Sequence, residues 1–375
     1  LGDDWGKNWE ELGDEFVCPQ APRPPALPAA PHASNPDKST LETIGNNPYI
    51  AGNNNENTEL FIGRKYVIDR IESDFNQAGG NHLVVMDGNR RIGKSWVLDH
   101  VSNNPDILPE WVRVHCSLLE ADGGTEANDE GLPAHKIFQA YARAIGGKLH
   151  NLGYTPPGKT GEGRLSGYAK IVRTKLISED DPFPDFRDFI DEVLEIIAPK
   201  RLLLMIDEYN ILQAGVDSGV TNSQVPDNIR SIFAKHKLGG IITGTVKLKR
   251  IKEKYWGPLY AIGASAIELT SMPEEEAADV VTKPIDVSHK QWLEEYAKGH
   301  PRGLNKVKLS YTDDAIESII KLCNKQPFLI QSLCHDMFHI AKSNGVTVID
   351  EKYVKGKTPI IAKGTTVFTE IWRDF

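Results

Sequence analysis

The chain has 375 residues, of which 40% are hydrophobic and 25% charged, and its formal net charge is −9 at pH 7. This composition is typical of a globular protein, and the length is sufficient for two or three domains with separate cores. No apolar run reaches the roughly 18 residues of a membrane-spanning helix, and the acidic balance argues against a surface built mainly to bind phosphate backbones. We expect a multidomain cytoplasmic protein without a membrane partner, for which nucleic acid is possible but not indicated.

The four cysteines are scattered without C-x-x-C spacing, at positions 18, 116, 323 and 334. No secretory apolar segment precedes them, so neither a disulfide framework nor a zinc ribbon is indicated, and a reducing cytoplasm fits best. The sequence starts at Leu1 and ends at Phe375, just after an apolar and aromatic stretch at 367–372. We therefore expect it to be part of a longer chain.

Residues 1–44 are predicted to form a helical tail followed by a proline-rich linker. Apolar side chains at helical spacing occupy 5–16, and six prolines follow from Pro19 to Pro31. Such a run favours a stiff, extended spacer. It would also suit an SH3-type ligand, but composition alone rarely identifies a ligand, and the linker is the preferred interpretation.

Residues 45–272 show apolar strand patterns that alternate with helical patterns. The predicted strands are 82–86, 111–116, 202–206 and 240–243, and the predicted helical segments are 60–75, the segment after 93, 134–149, 185–198 and 225–236. This alternation predicts an α/β domain whose parallel sheet is covered by helices on both faces. From 273 to 345 the strand signal fades and helical spacing dominates, which predicts a helical lid domain, and 346–375 would start a further C-terminal element.

The segment GNRRIGKS matches the phosphate-binding pattern G-x-x-x-x-G-K-[ST] at every fixed position. It lies between an apolar strand and a helical continuation, as a P-loop requires. Its glycines let successive N–H groups face the phosphates, and the helix N-terminus adds partial positive charge. Lys94 would bridge the β- and γ-phosphates and Ser95 would hold Mg²⁺. The predicted nucleotide-binding residues here are Gly88, Asn89, Arg90, Arg91, Ile92, Gly93, Lys94, Ser95 and Trp96.

The site also needs a buried strand that ends in acidic residues, and 202–206 leads directly into Asp207 and Glu208. Asp207 would position Mg²⁺ through its water shell, and Glu208 would orient and deprotonate the attacking water. Another apolar strand ends in two hydroxyl residues, Thr243 and Thr245. Either could hydrogen-bond the attacking water or the γ-phosphate, or simply terminate the strand, and the sequence does not choose between them.

These motifs, together with three further short segments, occur in an order that resembles a known protein family. NPY at 47–49 and FIGR at 61–64 come first, the P-loop, LLLMIDE and IITGT follow, and NKQPF at 324–328 is last. The set is similar to the STAND branch of the AAA-type ATPases, and more narrowly to bacterial ATPases of conflict and antiviral systems. The resemblance covers about residues 45–345. It implies that Gly63 and Arg64 line the adenine and that Pro327 contacts the base or ribose.

Two positions depart from that family pattern. Lys65 and Tyr66 stand where acidic residues often follow the Gly-Arg pair, and Asn324 or Lys325 stands where a Gly-x-Pro motif would begin. Both departures concern the adenine side of the predicted site. The phosphate side matches throughout.

The resemblance implies an ATP hydrolase that acts as a switch, with ATP or ADP and Mg²⁺ as cofactors. An effector protein or self-association would supply the partner, and the setting would be bacterial antiviral defence. The alternative is an AAA-type nucleic-acid loader or remodeller, whose turnover DNA would stimulate. A scaffold that only holds nucleotide is a third possibility, but it would not need the base that Glu208 provides.

Three further features receive structural interpretations. His335 and His339 lie one helical turn apart, but no glutamate or third ligand completes a zinc motif. The basic run from Lys247 to Lys254 includes Glu253 and favours a solvated helix face. NKQP at 324–327 lacks the aspartate of the guanine-reading N-K-x-D, so GTP is disfavoured.

Overall fold

The computed structural model describes residues 46–50, 60–77, 83–118, 131–154, 177–234, 238–244, 265–297 and 308–364. Several expectations lie outside these ranges. They concern the tail and linker of 1–44, strand residue His82, Thr245, the basic run at 247–254 and the stretch 367–372. Within the described ranges, no helix combines the length and apolar character needed to span a membrane.

A five-stranded parallel sheet organises the first part of the structure, as the alternating pattern predicts. Its spatial order is β2–β3–β4–β1–β5. The strands are β1 Leu83–Gly88, β2 Trp111–Ser117, β3 Arg201–Asp207, β4 Leu238–Gly244 and β5 Ser265–Leu269. Because the strands are parallel, their carboxyl ends meet at one edge of the sheet, where ligands of open α/β sheets bind. The P-loop and the acidic strand end share that edge.

Helices cover both faces of the sheet. They are α1 Lys65–Asn76, α2 Lys94–Asn103, α3 Ala134–Asn151, α4 Pro182–Ile196, α5 Asn210–Ser218 and α6 Val225–Phe233. Successive side chains of a strand point to opposite faces. Accordingly, Leu83 and Val85 of β1 join a core with α3, α4 and α6, whereas Val84 and Met86 join a core with α1 and α2. Burial on both sides explains the continuous apolar runs of β1, β3 and β4.

β5, at Ser265–Leu269, is absent from the strands predicted from the sequence, and the structure adds it to the sheet. β5 lies at the edge of the sheet, where it pairs only with β1. Its burial alternates, with Ala266 and Glu268 exposed, so it lacks the apolar run by which the central strands were recognised. A five-residue edge strand with one charged side chain carries a weak signal.

The second part of the structure is the predicted helical lid. Its elements are α7 Glu274–Ala297, β6 Ser310–Tyr311, α8 Asp313–Leu322, α9 Pro327–Ser343, β7 Val348–Ile349 and α10 Glu351–Gly364. The short parallel pair β6–β7 was not expected after residue 273. These elements share one apolar core with two residues that precede the P-loop, Tyr49 and Ile62. The domain boundaries at 45, 273 and 346 remain predictions.

The turn between α8 and α9 directs the start of α9 towards the sheet domain. Asn324 and Lys325 both adopt left-handed backbone angles, with φ of 47° and 57°, and make a tight turn. Pro327 then occupies the first helical position, where its fixed φ suits the helix and its missing N–H is not needed. The Lys325 carbonyl accepts a hydrogen bond from the backbone N–H of Met272, at 3.0 Å, just before α7 begins.

Candidate functional site

The loop Gly88–Ser95 joins β1 to α2, and its two fixed glycines are required by geometry. A Cβ on Gly88 would lie 2.6 Å from the carbonyl oxygen of Leu269 in the adjacent strand β5. Gly93 has a φ of 100°, a conformation that side chains of L-residues rarely adopt. The loop can therefore follow this path only with glycine at both positions.

Lys94 is folded into the loop. It is 5% exposed, and its Nζ donates to the carbonyl oxygens of Gly88 and Asn89, at 3.1 and 2.9 Å. Burial lowers the pKa of Lys94, and the negative charges of Glu208 and Asp207 oppose this shift. The ammonium group thus lies at the centre of the loop, held by neutral oxygens that a phosphate oxygen can replace.

Asp207, at the end of β3, receives hydrogen bonds from three directions. Ser95 Oγ donates to its Oδ2 at 2.5 Å, and the Thr243 hydroxyl and the N–H of Glu208 donate to its Oδ1. Burial on its own would raise the pKa of this carboxyl group, but the interactions with His115, Ser95 and Thr243 lower it to about 2. Asp207 is therefore a carboxylate at neutral pH, and its oxygens lie next to the P-loop hydroxyl.

This pair of oxygens fits the predicted magnesium site. Mg²⁺ prefers hard oxygen ligands and binds through one or two carboxylates together with substrate phosphates. The Ser95 hydroxyl and the Asp207 carboxylate are already in contact, and both belong to positions predicted to hold the metal. Thr243 contacts the same carboxylate, and its role as a γ-phosphate sensor remains a prediction.

His115 of β2 was not singled out from the sequence. Its Nδ1 lies 2.7 Å from Asp99 Oδ1, and its Nε2 lies 3.8 Å from Asp207 Oδ2, which is too long for a hydrogen bond but close enough for electrostatic attraction. Burial on its own would lower the pKa of His115, but the two carboxylates raise it to about 9. The two carboxylates therefore favour the imidazolium form of His115 beside Asp207.

Glu208 follows Asp207 with a left-handed backbone, φ 55°, which turns its side chain away from the strand direction. Burial raises the pKa of Glu208, and the charge of Asp207 raises it further, while Lys94 and a hydrogen bond with Asn210 act in the opposite direction. A carboxylate with a raised pKa is a stronger proton acceptor. Glu208 also lines the cavity, whereas Asp207 does not.

A cavity that is partly open to solvent extends from the P-loop to the lid. Its empty space, including the open solvent at its mouth, is about 780 Å³. Its lining is polar at the P-loop end and largely apolar at the other end. The lining residues are Ile50, Phe61, Ile62, Arg64, Arg90, Arg91, Ile92, Gly93, Lys94, Ser95, Trp96, Glu208, Met272, Pro327, Phe328 and Gln331.

The Gly63-Arg64 pair joins the P-loop to the lid. The Arg64 guanidinium is buried and donates to the carbonyl oxygens of Ile92 and Thr270, at 3.0 and 2.8 Å, and its backbone N–H donates to Glu276 in the first turn of α7. A Cβ on Gly63, whose φ is 75°, would lie 2.6 Å from the Glu276 carboxylate. Arg64 lines the cavity, whereas Gly63 packs against α7 and does not border it. Their contact with adenine remains a prediction.

The start of α9 closes the cavity from the lid side. The Arg91 guanidinium of the P-loop lies over the Phe328 ring, 4.7 Å from its centroid. Pro327 Cγ lies 3.8 Å from the position that a Cβ on Gly93 would occupy. The loop that would hold the phosphates is therefore in direct contact with the lid.

Residues 46–50, which we call the N-terminal strap, lie along α9. Asn47 Nδ2 donates to the backbone oxygen of His335 at 2.9 Å, and the Ile50 N–H donates to Gln331 Oε1 at 3.2 Å. The Tyr49 hydroxyl donates to the Val281 carbonyl in α7. The strap therefore runs antiparallel to α9 and is fastened to the lid.

The two histidines set aside in the sequence analysis are close together in α9. The rings of His335 and His339 pack edge to face, with centroids 4.7 Å apart, and His335 Nδ1 lies 3.1 Å from its neighbour Asp336. In the part of the chain that the structure describes, no three His, Cys, Asp or Glu side chains are grouped to hold a metal ion.

Comparison with known proteins gives no family by sequence. No protein-family model matches the chain, and no curated protein matches it. Solved structures of similar architecture include the Aeropyrum pernix ORC1 protein in complex with DNA, at 10% identity over 81% of this chain and 66% of that chain, with a TM-score of 0.47. The Aeropyrum pernix ORC2 protein in its ADP form is 12% identical over 78% of this chain and 66% of that chain, with a TM-score of 0.44.

Cdc6p from Pyrobaculum aerophilum is a third example, at 11% identity over 76% of this chain and 64% of that chain, with a TM-score of 0.41. The chain spans about two thirds of the length of each of these structures. At this similarity the comparison carries no argument about what the chain binds. The functional case therefore depends on the site itself.

Proposed function

We propose that the chain binds Mg-ATP in the cavity between the sheet domain and the lid, and hydrolyses it. The observation that carries this proposal is the 2.5 Å contact between Ser95 Oγ and Asp207 Oδ2. It joins the end of a complete P-loop to the end of a buried strand, two segments 112 residues apart in the sequence. An oxygen pair at this position is what Mg²⁺ bound to a nucleotide phosphate requires.

Each side chain at the phosphate end has a separate task. Lys94 exchanges its bonds to the loop carbonyls for bonds to phosphate oxygens and neutralises them. The backbone N–H groups of the loop and the N-terminus of α2 hold the remaining phosphate charge. When bound, Mg²⁺ would neutralise charge on the β- and γ-phosphates, held by Ser95 and, through its water shell, by Asp207.

Glu208 acts on the water that attacks the γ-phosphate. It borders the cavity beside Lys94 and Ser95, and its raised pKa makes it a better base than an exposed carboxylate. It accepts the proton of the water as the oxygen approaches phosphorus in line with the leaving group. Asp207, with its low pKa, remains the charged partner of the metal.

The proposed output is a change in how the lid packs. The cavity is lined by residues of both parts, including Phe61 before α1 and Phe328 of α9, so a bound nucleotide would contact both parts. A ligand shifts such an equilibrium only by binding one arrangement better than the other. A role as a STAND-type switch in antiviral defence, with an effector protein or self-association, is proposed from the sequence resemblance.

The test measures nucleotide binding and phosphate release in the presence of Mg²⁺. Lys94→Ala should abolish binding because it removes the cation at the centre of the loop. Glu208→Gln should retain ATP binding and lower turnover by a factor of about 100 or more, because only the proton acceptor is lost. Lys65→Ala is a matched control, since its side chain is 82% exposed and pairs with Asp69 on the outside of α1.

Normal hydrolysis by the Lys94→Ala protein would refute the site. Equal loss of binding and turnover in Glu208→Gln would show that Glu208 is structural. The same assay with added duplex DNA tests the loader or remodeller alternative, which requires a steep, salt-sensitive stimulation.

A further inference from the structure

Gln331 is a buried polar residue of the lid that has no role in the phosphate and magnesium site proposed above. It is 4% exposed, yet it lines the cavity. We infer that the Gln331 side-chain amide contacts the base of the bound nucleotide and sets the preference for adenine over guanine. This inference rests on the proposed function and adds a specificity-determining residue to the same site.

The position of Gln331 along α9 places it at the base end of the cavity. Pro327 packs next to Gly93 of the P-loop, and Gln331 follows it by four residues, on the same face of the helix and about 6 Å further along the axis. At the next position on this face, the backbone oxygen of His335 accepts a hydrogen bond from Asn47, and neither residue lines the cavity. Gln331 therefore lies one helical turn away from the phosphate loop.

The orientation of the Gln331 amide follows from its hydrogen bond with Ile50. The Ile50 N–H can only donate, so the atom facing it at 3.2 Å has to be the amide oxygen, Oε1. The NH₂ group then points the other way. Among the residues that the structure describes, none accepts a hydrogen bond from this NH₂ group.

The surroundings suit a purine ring. Ile50, Ile62 and Met272 also line the cavity, and their apolar side chains can cover the faces of a flat ring. The ring atom N1 is an acceptor in adenine but carries a hydrogen in guanine, so the Gln331 NH₂ group can donate to N1 only in adenine. The Ile50 N–H holds the amide in this orientation before the nucleotide binds, so no entropy is lost in orienting it.

The chemistry of this contact gives a specific expectation for the substitution Gln331→Glu. The carboxylate has the same shape and still accepts the hydrogen bond from Ile50, but it replaces the free donor with an acceptor. An acceptor opposite a ring-nitrogen lone pair is unfavourable, whereas it can receive a hydrogen bond from the N1–H or N2–H₂ groups of guanine. The variant should lose affinity for ATP and gain relative affinity for GTP.

The experiment compares the binding of ATP, GTP and inorganic tripolyphosphate to the full chain, with Mg²⁺, at pH 8. This pH favours the ionised form of the introduced carboxyl group, whose pKa burial raises. For Gln331→Glu we expect affinity for ATP to fall about 10-fold or more, affinity for tripolyphosphate to stay unchanged, and the ratio of ATP to GTP affinity to fall. Gln326→Glu is the matched control, because Gln326 is also 4% exposed, precedes the same helix and does not line the cavity.

Gln331→Met provides a second variant of similar length with no hydrogen-bonding group. It should lose affinity for ATP relative to tripolyphosphate without gaining affinity for GTP. The inference is refuted if Gln331→Glu weakens tripolyphosphate as much as ATP, or if the ratio of ATP to GTP affinity equals that of the wild-type protein. If the wild-type chain binds tripolyphosphate and ATP equally, the inference about Gln331 is refuted but phosphate binding is not. If the wild-type chain binds neither, both the proposed function and the inference are refuted.

Discussion

The charge of Asp207 is balanced in the metal-free protein by a residue outside all the recognised motifs. His115 reaches Asp207 with one ring nitrogen and Asp99 with the other, and two carboxylates around one imidazole raise its pKa to about 9. An imidazole with one nitrogen fixed by a carboxylate presents the other in a defined orientation. His115 is therefore a positioning residue for the carboxylate that is proposed to hold Mg²⁺.

The first prediction concerns the pH dependence of stability in the metal-free protein, with a chelator present. The folded-state pKa of His115, about 9, lies above the unfolded value of about 6.5, so the stabilisation is fully present below pH 6.5 and is lost as the pH rises towards 9. His115→Asn should therefore be destabilised relative to the wild-type protein at pH 6.5, and this difference should shrink by pH 9. Urea unfolding at both pH values measures it.

The matched control for this prediction is His150→Asn, which removes an exposed imidazole at the end of α3, far from Asp207. Its difference from the wild-type protein should not follow the same trend. A pH-independent difference for His115→Asn would mean that the imidazole contributes packing and no charge.

Single residues were predictable from the sequence where a motif fixes their spacing. Gly88, Lys94 and Ser95 belong to one contiguous pattern, and Asp207 ends a run of apolar residues. No sequence motif marks His115 or Gln331, because the position of each depends on contacts with residues distant in the sequence. His115 depends on the pairing of β2 with β3, and Gln331 depends on the strap, 281 residues away.

At the scale of elements, α9 connects the phosphate loop to the lid. Its first turn carries Pro327 and Phe328, and the Phe328 ring receives the Arg91 guanidinium. A cation over an aromatic face contributes about 0.5–2 kcal/mol, depending on how far it is desolvated. This contact favours the arrangement in which the cavity is closed.

The second prediction tests this contact. Phe328→Leu keeps an apolar side chain but removes the aromatic face, so the closed arrangement becomes less populated and the affinity for ATP should fall about 2- to 10-fold. Isothermal titration with ATP measures the change. Phe183→Leu is the matched control, since Phe183 packs edge to face on Phe138 in the core beneath α4. Unchanged or tighter binding by Phe328→Leu would show that the contact does not favour the binding arrangement.

Elements with strong periodicity or clear end signals were predictable, and short edge elements were not. Pro327 occupies the first helical position of α9, where a proline is a clear start signal. β5 and the β6–β7 pair were missed, because two to five residues with alternating exposure carry little hydrophobic pattern. α5 was also missed, since it follows the acidic strand end without a side-chain cap.

At the scale of the whole molecule, two apolar cores meet at one cavity. One part is the sheet with its helices, and the other is the lid, which also contains Tyr49 and Ile62. Residues 45–62 precede the P-loop and belong to the predicted core domain of 45–272. Chain order alone does not show that the side chains of Tyr49 and Ile62 pack into a core formed largely by residues beyond 272.

The third prediction concerns hydrogen exchange in the lid. If nucleotide bridges the two parts, saturating ATP or ADP with Mg²⁺ should slow amide exchange in residues 320–335 as well as in the P-loop, because local opening of the lid would require release of the ligand. Helix α4 is the internal control, since it packs in the core on the other face of the sheet from α1 and α2 and does not line the cavity. If nucleotide does not change the rate of amide exchange in residues 320–335, the switch mechanism is refuted and the ATPase proposal is not.

The N-terminal strap has a mechanical consequence. Residues 46–50 are bonded to the lid, whereas the chain re-enters the sheet domain at α1, so the polypeptide crosses the boundary between the two parts before it reaches the P-loop. Any rotation of the lid would carry residues 46–50 with it, because their hydrogen bonds are to α7 and α9. The strap would then convert a change in nucleotide state into a displacement of residue 46 relative to the P-loop.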